Sequence, residues 1–332
     1  MPPSSDRALF LCQEPAAIDR VYADRRERIA GLLPTCGRVL RAEELAEHAA
    51  ALAGVEVVFS TWGMPLLSAA QLRLLPRLRA VLYAAGSVKG FAIPLLEHGV
   101  QVSSAWQANA VPVAEHTLAH ILLALKQTLH WARAVRAGRG YHDLIRPPAT
   151  TGAYGATVGV IGLGAIGRRV AELCRPFALR VIAHDPAAGA ADGIERVALD
   201  ELMRRADVVS LHAPWIPATQ GMITGALLRQ MRPWSTFINT ARGALVREDE
   251  LITVLRERPD LQAVLDVTWP EPPPRASALY DLDNVLLTPH IAGSAGNELQ
   301  RMADSMVDEC ARLLAGEPLT HAVTLAMLPT MA

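Results

Sequence analysis

Cysteine is scarce in this chain of 332 residues, with four at Cys12, Cys36, Cys174 and Cys310, far apart in sequence. No Cys-x-x-Cys pair or Cys/His ligand spacing occurs, so neither a disulfide framework nor a metal site is expected, and a reducing cytoplasmic setting is. An excess of one charge is also missing. Lys and Arg number 32 against 33 Asp and Glu, for a net charge of −1. That excludes the basic surplus that nucleic acid requires. Long apolar runs are lacking as well. The run from Ala8 to Cys12 follows Asp6 and Arg7 and is too short for a signal-peptide core. The stretch Leu118 to Leu125 is interrupted by His120 and followed by Lys126, too short to span a bilayer. Neither a short-period repeat nor a low-complexity tail is visible. What the chain does have is apolar bulk: 51% hydrophobic against 20% charged residues. That suffices for a large core, and the length suggests two domains.

Both halves of the chain alternate strand and helix signals, which argues for parallel α/β units. In the first 106 residues the expected strands are Ala8 to Cys12, Val39-Leu40, Val55 to Ser60, Ala80 to Ala84 and Val100 to Val102. The expected helices are Ile18 to Leu33, Ala42 to Ala53, Ser68 to Leu75 and Ile93 to His98. Ala114 to Val135 reads as one long helix with an apolar stripe at Leu118, Ile121, Leu122, Leu125 and Leu129. Tyr141 to Gly155, with Pro147-Pro148, reads as an arm or loop. From 157 onward come strands ending at Ile161, Ala183, His212, Asn239, Val267 and Leu287. A last helix, Gly296 to Leu314, is stopped by Gly316 and Pro318.

The stretch Val158 to Gly167 organises the second half. Branched apolar residues lead directly into Gly162-x-Gly164-x-x-Gly167. In such a turn the first glycine makes the sharp bend, the second admits a pyrophosphate to the backbone, and the third lets the helix pack on the strand. A helix expected over about Arg168 to Arg175 then points its N-terminal amides and positive end at the phosphates. A second apolar strand, Arg180 to Ala183, ends at His184-Asp185, eighteen positions past Gly167. An acid there accepts from the ribose hydroxyls and repels a 2′-phosphate, which favours NAD over NADP.

Three polar residues follow strand ends in this half: Arg242, Glu271 and His290. Ligands of open α/β sheets bind at those ends. Reduction of a 2-oxo acid needs a cation for the carboxylate, an acid for the nascent alkoxide, and a partner that holds the acid. Arginine is a planar, permanently charged fork. Histidine transfers protons near neutrality, and glutamate can orient its ring.

These segments resemble the D-isomer-specific 2-hydroxyacid dehydrogenase family. The resemblance is carried by Val158 to Gly167, Asn239-Thr240-Ala241-Arg242-Gly243-Ala244-Leu245-Val246, Leu265-Asp266-Val267 with Glu271-Pro272, and Thr288-Pro289-His290-Ile291-Ala292-Gly293. It covers the nucleotide half densely and residues 1–106 loosely. It implies two Rossmann-like parallel-sheet domains, the NAD-binding one (107–296) inserted into a flavodoxin-like substrate domain (1–106 plus 297–332). It implies Arg242 as substrate ligand, Glu271 as the partner of the histidine, and His290 as acid/base. Cofactor contacts are expected at Gly162, Gly164, Ala165, Ile166, Gly167, Asp185, His212, Pro214, Thr240, Ala241, Asp266 and Gly293. The turn Ala85-Gly86-Ser87-Val88-Lys89 matches the loop whose amides grip the substrate carboxylate. A homodimer through the helix and arm of 114–150 is also implied.

The sequence departs from the family in places. Val88-Lys89-Gly90-Phe91 replaces the usual Gly-x-Asp, and phosphite-oxidising members carry a similar turn. Lys89 is read either as charge directed at an oxyanion substrate or as a solvated loop lysine. Trp215 and Trp269 are unexpected beside Pro214 and Glu271; Trp269 either narrows the pocket or caps a strand end. His116, His184 and His212 are read as structural or cofactor-lining, and Asn109 as a cofactor or hinge residue. Other functional readings are an NAD(H)-sensing corepressor-like binding protein, a phosphite or other oxyanion dehydrogenase, and a short phosphoglycerate or glycerate enzyme. Formate dehydrogenases pair the histidine with glutamine, which Glu271 argues against.

Overall fold

The computed structural model describes residues 6–35, 37–140, 152–187 and 193–331. Cys36 and most of the expected arm, residues 141–151, lie outside them. The chain divides into two compact units, Met1–Asn109 with Ser294–Ala332, and Ala110–Gly293.

The first unit holds β1 (Ala8–Leu11), β2 (Val39–Leu40), β3 (Val57–Ser60), β4 (Ala80–Tyr83) and β5 (Gln101–Ser104). They pair in parallel in the order β2-β1-β3-β4-β5, the flavodoxin-like arrangement. Alternate residues go to opposite faces. Phe10, Val57, Phe59 and Leu82 enter one core with Tyr22, Met302 and Met306. Leu9, Leu11, Val58 and Val81 enter another. That is why these strands read as unbroken apolar runs.

The second unit holds β6 (Thr157–Ile161), β7 (Arg180–His184), β8 (Glu195–Arg196), β9 (Val208–Leu211), β10 (Thr236–Asn239), β11 (Gln262–Leu265) and β12 (Val285–Leu287). The order is β8-β7-β6-β9-β10-β11-β12, all parallel. It is the dinucleotide-binding order, with its switch point between β6 and β9. Chain reversal there leaves a crevice at the carboxyl ends of the strands. A final strand, β13 (Ala322–Val323), pairs antiparallel to β5 at the edge of the first sheet.

Several elements differ from expectation. The segment 18–33 is two helices, Pro15–Tyr22 and Arg25–Leu32, broken at Ala23. The apolar positions keep helical spacing across the break, so periodicity does not reveal it. Residues 114–135 are likewise not one helix. Trp106–Leu125 and Thr128–Gly138 meet at Gln127, which has φ +54°. The Gln127 side chain is buried, donating to the carbonyls of Ala124 (3.1 Å) and Trp234 (2.7 Å) and accepting from Gln262. This tertiary anchor overrides local helix preference. The helix Leu199–Arg205 and the two-residue strands β8 and β13 have no counterpart in the sequence reading. Among the described residues no helix is long and apolar enough to cross a membrane.

Candidate active site

The glycine turn after β6 is built as its pattern demands. Gly162 has φ +95°, and a Cβ there would come 2.7 Å from the Ala213 amide nitrogen and the His212 carbonyl carbon. A Cβ on Gly167 would collide with the Gly162 carbonyl, so only glycine lets the helix Ala165–Cys174 start this close to the strand. Gly164, in contrast, opens onto empty space, with no atom within 4 Å of where its Cβ would stand. It is the N-cap of that helix. No side chain caps the helix start and no acid lies in its first turn. The exposed amide end and the open cradle fit a dinucleotide pyrophosphate.

Asp185 follows β7 and closes this turn from the side. One carboxylate oxygen accepts from the Leu163 amide at 2.7 Å, the other from the Ala187 amide at 2.8 Å. Arg196 donates to the Asp185 carbonyl at 2.6 Å. The acid is therefore tied to the glycine loop itself. His212, after β9, is 8% exposed and burial pushes its pKa down to about 3, so the ring is neutral. Its Nε2 meets the Ser210 hydroxyl at 2.8 Å, while Nδ1 is buried without a hydrogen-bond partner among the described residues.

At the far side of the switch point, β10 ends in a turn shaped by Asn239, a residue the sequence reading gave no role of its own. Its side chain accepts from the Ala241 amide and donates to the Arg242 carbonyl, each at 3.0 Å. Thr240 is buried, with its hydroxyl 3.2 Å from that of Thr117. Arg242 projects from this turn and donates to the Ala241 carbonyl at 2.6 Å. Burial lowers its pKa, and the negative charge of Glu271 opposes the shift. Among the described residues it makes no ion pair within 4 Å, so a charged fork with spare donors faces the strand ends.

Glu271 and His290 come together. The imidazole Nδ1 donates to the Glu271 carboxylate at 2.7 Å, with the two side chains 46% and 39% exposed. An ionised carboxylate can only accept, which puts the proton on Nδ1 and leaves Nε2 open toward a reacting atom. The His290 backbone has φ +55°, and the Asp266 strand end holds it there. The Asp266 carbonyl accepts from the His290 amide at 2.9 Å. The 1%-exposed Asp266 carboxylate accepts from the Thr288 hydroxyl (2.6 Å) and the amides of Ile291 (2.9 Å) and Ala292 (2.8 Å). Asp266, expected as a cofactor contact, also anchors the histidine loop. Thr288 shares that work and was visible only as part of the Thr-Pro-His match.

Pro214 and Gly293 flank the same strand ends in sequence. His184 Nδ1 lies 3.1 Å from the Val197 carbonyl, a structural contact. His116 meets His120 edge to face with centroids 4.5 Å apart, its Nε2 buried and unpartnered among the described residues. The expected substrate turn belongs to the other unit, after β4. Ser104 holds it from below, donating to the carbonyls of Ala85 (2.8 Å) and Gly86 (2.6 Å), while Ser87 and Lys89 are exposed. Asn109 accepts from the Ser294 amide at 2.9 Å. No cluster of three or more His, Cys, Asp or Glu able to hold a metal occurs among the described residues.

A dinucleotide cradle and an acid–histidine–arginine set thus follow the carboxyl ends of strands of one sheet. Residues 118–292 match the profile of the D-isomer specific 2-hydroxyacid dehydrogenase, NAD binding domain. The chain belongs to this dehydrogenase family. It is similar to D-3-phosphoglycerate dehydrogenase of Mycobacterium leprae, 39% identical over 231 residues, which are 68% of this chain and 43% of that one. The (S)-sulfolactate dehydrogenase of Chromohalobacter salexigens is 35% identical over 223 residues, 66% of this chain and 71% of that one. Among solved structures, a D-isomer specific 2-hydroxyacid dehydrogenase from Xanthobacter autotrophicus in complex with NADPH aligns with TM-score 0.74 and 25% identity, over 96% of this chain and 98% of that one. The chain spans less than half the length of its phosphoglycerate relatives. As a member of this dehydrogenase family, it carries the family's NAD-binding domain in its second unit.

Proposed function

We propose that the chain is an NAD-dependent oxidoreductase that interconverts a 2-oxo acid and a D-2-hydroxy acid. The observation that carries this reading is the 2.7 Å Glu271–His290 pair past the carboxyl ends of the strands, in the sheet that also presents Arg242 past β10. In the reductive direction Arg242 holds the substrate carboxylate through paired charge-assisted hydrogen bonds. His290 Nε2 gives its proton to the carbonyl oxygen as the alkoxide forms. Glu271 keeps Nδ1 protonated and the ring aimed. The nicotinamide, when bound, supplies the hydride. Gly162, Gly164, Ala165, Ile166 and Gly167 hold the pyrophosphate, and His212, Pro214, Thr240, Ala241 and Gly293 line the rest of the cofactor groove. We assign residues 107–296 to cofactor binding, and 1–106 with 297–332 to substrate binding, with Ala85, Gly86, Ser87 and Lys89 as its substrate contacts.

Asp185 favours NAD, because a 2′-phosphate beside a carboxylate is repelled. Asp185→Asn, which keeps the Leu163 contact and loses the charge, should raise the NADPH-to-NADH ratio of kcat/KM about tenfold or more. An unchanged ratio would remove Asp185 from cofactor choice. The three described cysteines, Cys12, Cys174 and Cys310, are buried free thiols, which supports the reducing cytoplasm as the setting.

The deciding experiment is NADH oxidation with glyoxylate, hydroxypyruvate, pyruvate, phenylpyruvate and a branched-chain oxo acid. In the reverse direction it tests NAD with 3-phosphoglycerate, sulfolactate and phosphite. Turnover of at least one 2-oxo or 2-hydroxy acid supports the reading, and preference within the panel names the substituent. Phosphite alone as substrate, or silence with NADH still bound, overturns it.

A further inference from the structure

Two tryptophans that depart from the family pattern meet in space. Trp215 lies four residues past the end of β9, and Trp269 four past the end of β11. Strand β10 runs between these two strands. Strands on either side of a common neighbour are about 10 Å apart, yet the two indole centroids are 4.9 Å apart, in an edge-to-face arrangement at 63°. The rings therefore lean toward each other across the end of β10, where the chain carries Arg242. Trp215 packs on the core cluster that includes Leu211, Ala213, Ala241 and Leu245, the last two close to Arg242 in sequence. Trp269 keeps 53% of its surface open.

The loop that bears Trp269 is fastened to the Arg242 turn. A Cβ on Gly243 would overlap the Thr268 carbonyl, so the two backbones touch. The Trp269 amide donates to the Glu248 carboxylate at 3.2 Å, and the Thr268 hydroxyl to the Pro270 carbonyl at 2.9 Å. Two residues past Trp269 stands Glu271, bound to His290. The lowered pKa of Arg242 agrees with a guanidinium screened from water.

We infer that Trp215 and Trp269 form an aromatic clasp over the end of β10 that shields Arg242 from solvent and holds the Glu271 loop in place. They are positioning residues and act through Arg242 and Glu271. A charge-assisted bond gains strength as water is excluded, so the clasp acts mainly on capture of the substrate carboxylate. An edge-to-face indole pair is geometrically specific, and a phenyl ring retains much of the contact that alanine removes.

The inference rests on the functional reading above, and its test separates the two. Full-length Trp215→Ala, Trp269→Ala and Trp269→Phe are compared with wild type using the best 2-oxo acid of the panel. Each alanine variant is expected to raise KM for the oxo acid about tenfold, with a smaller loss in kcat and the same affinity for NADH. Trp269→Phe should return KM to within about threefold of wild type. The double alanine variant should be no worse than the worse single, because the pair acts as a unit. Unchanged KM in both alanine variants, or equal damage from alanine and phenylalanine, would overturn the clasp. So would a fall in melting temperature with kinetic constants intact. Two readouts do not need turnover. Modification of Arg242 by phenylglyoxal, followed by peptide mass spectrometry, should be faster in Trp269→Ala than in wild type. The tryptophan exciton couplet in circular dichroism should vanish in Trp269→Phe. An inactive wild type would sink the functional reading alone, whereas equal Arg242 reactivity or a persistent couplet would sink the clasp.

Discussion

His212 is buried with its Nε2 against Ser210, and His290 is half-exposed with Nδ1 on Glu271. The same ring thus has opposite tasks. Unfolded, the His212 ring takes a proton below about pH 6.5; folded, it does so only near pH 3. Between those values the unfolded chain binds one more proton, so this ring makes stability fall as pH falls, by about 1.4 kcal/mol per pH unit. Between pH 6.5 and 5 wild type should lose about 2 kcal/mol more stability than His212→Gln, in urea titrations. Equal losses would mean that the folded ring titrates like an exposed one. For His290 the expectation is catalytic. His290→Ala should lower kcat by about 10²- to 10⁴-fold, the usual worth of a general acid, with NADH affinity intact in fluorescence titration. Glu271→Gln keeps a hydrogen-bond acceptor for Nδ1 but no charge, and should fall between wild type and His290→Ala. A His290→Ala variant that fails to bind NADH would move that residue from proton transfer to cofactor binding.

At the scale of elements, β13 shows what local sequence does not reveal. It is two residues long, and its partner β5 lies more than 200 positions earlier. No periodicity can be read in two residues, and a buried carboxylate braces the pairing. Glu309, 1% exposed on the helix Leu299–Leu314, accepts from the Ser103 hydroxyl of β5 (2.7 Å) and the amides of Thr320 (2.9 Å) and His321 (3.1 Å). It ties the returning chain to the sheet edge. Glu309→Ala leaves three donors without their acceptor and should cost about 3 kcal/mol, read as a lower melting temperature and earlier proteolysis after residue 314. Glu317→Ala is the control. Its ion pair with Arg312 lies at the surface, where such pairs contribute about 0–1 kcal/mol. If the two variants melt alike, the Glu309 anchor is not what holds β13. The break at Gln127 has the same origin, since its Trp234 and Gln262 partners are distant in sequence. Apart from β8 and β13, the strands of both sheets are legible because burial on two faces favours apolar runs.

For the whole molecule, legibility followed the density of backbone constraints. Gly162, Gly167 and Gly243 stand where a Cβ would collide, so their spacing is written into the chain. The positioning roles of Asn239, Thr288 and Ser104 rest on side-chain hydrogen bonds, to backbone for Asn239 and Ser104 and to the Asp266 carboxylate for Thr288, that no spacing announces. Assembly is the remaining step. The helix Thr128–Gly138 buries none of its residues. Val135 is 37% exposed on it, and Leu123 is 48% exposed on the helix Trp106–Leu125. The resemblance implies a homodimer through 114–150, and a second copy of this chain would cover these apolar side chains. A stable interface buries about 800 Å² per partner, and a charge placed in its centre is left without a counter-ion. Val135→Glu with Leu123→Glu should therefore convert a dimer to a monomer in light scattering, with the fold intact by circular dichroism. If wild type is itself a monomer at micromolar concentration, or if the double variant stays dimeric, this helix is not the contact.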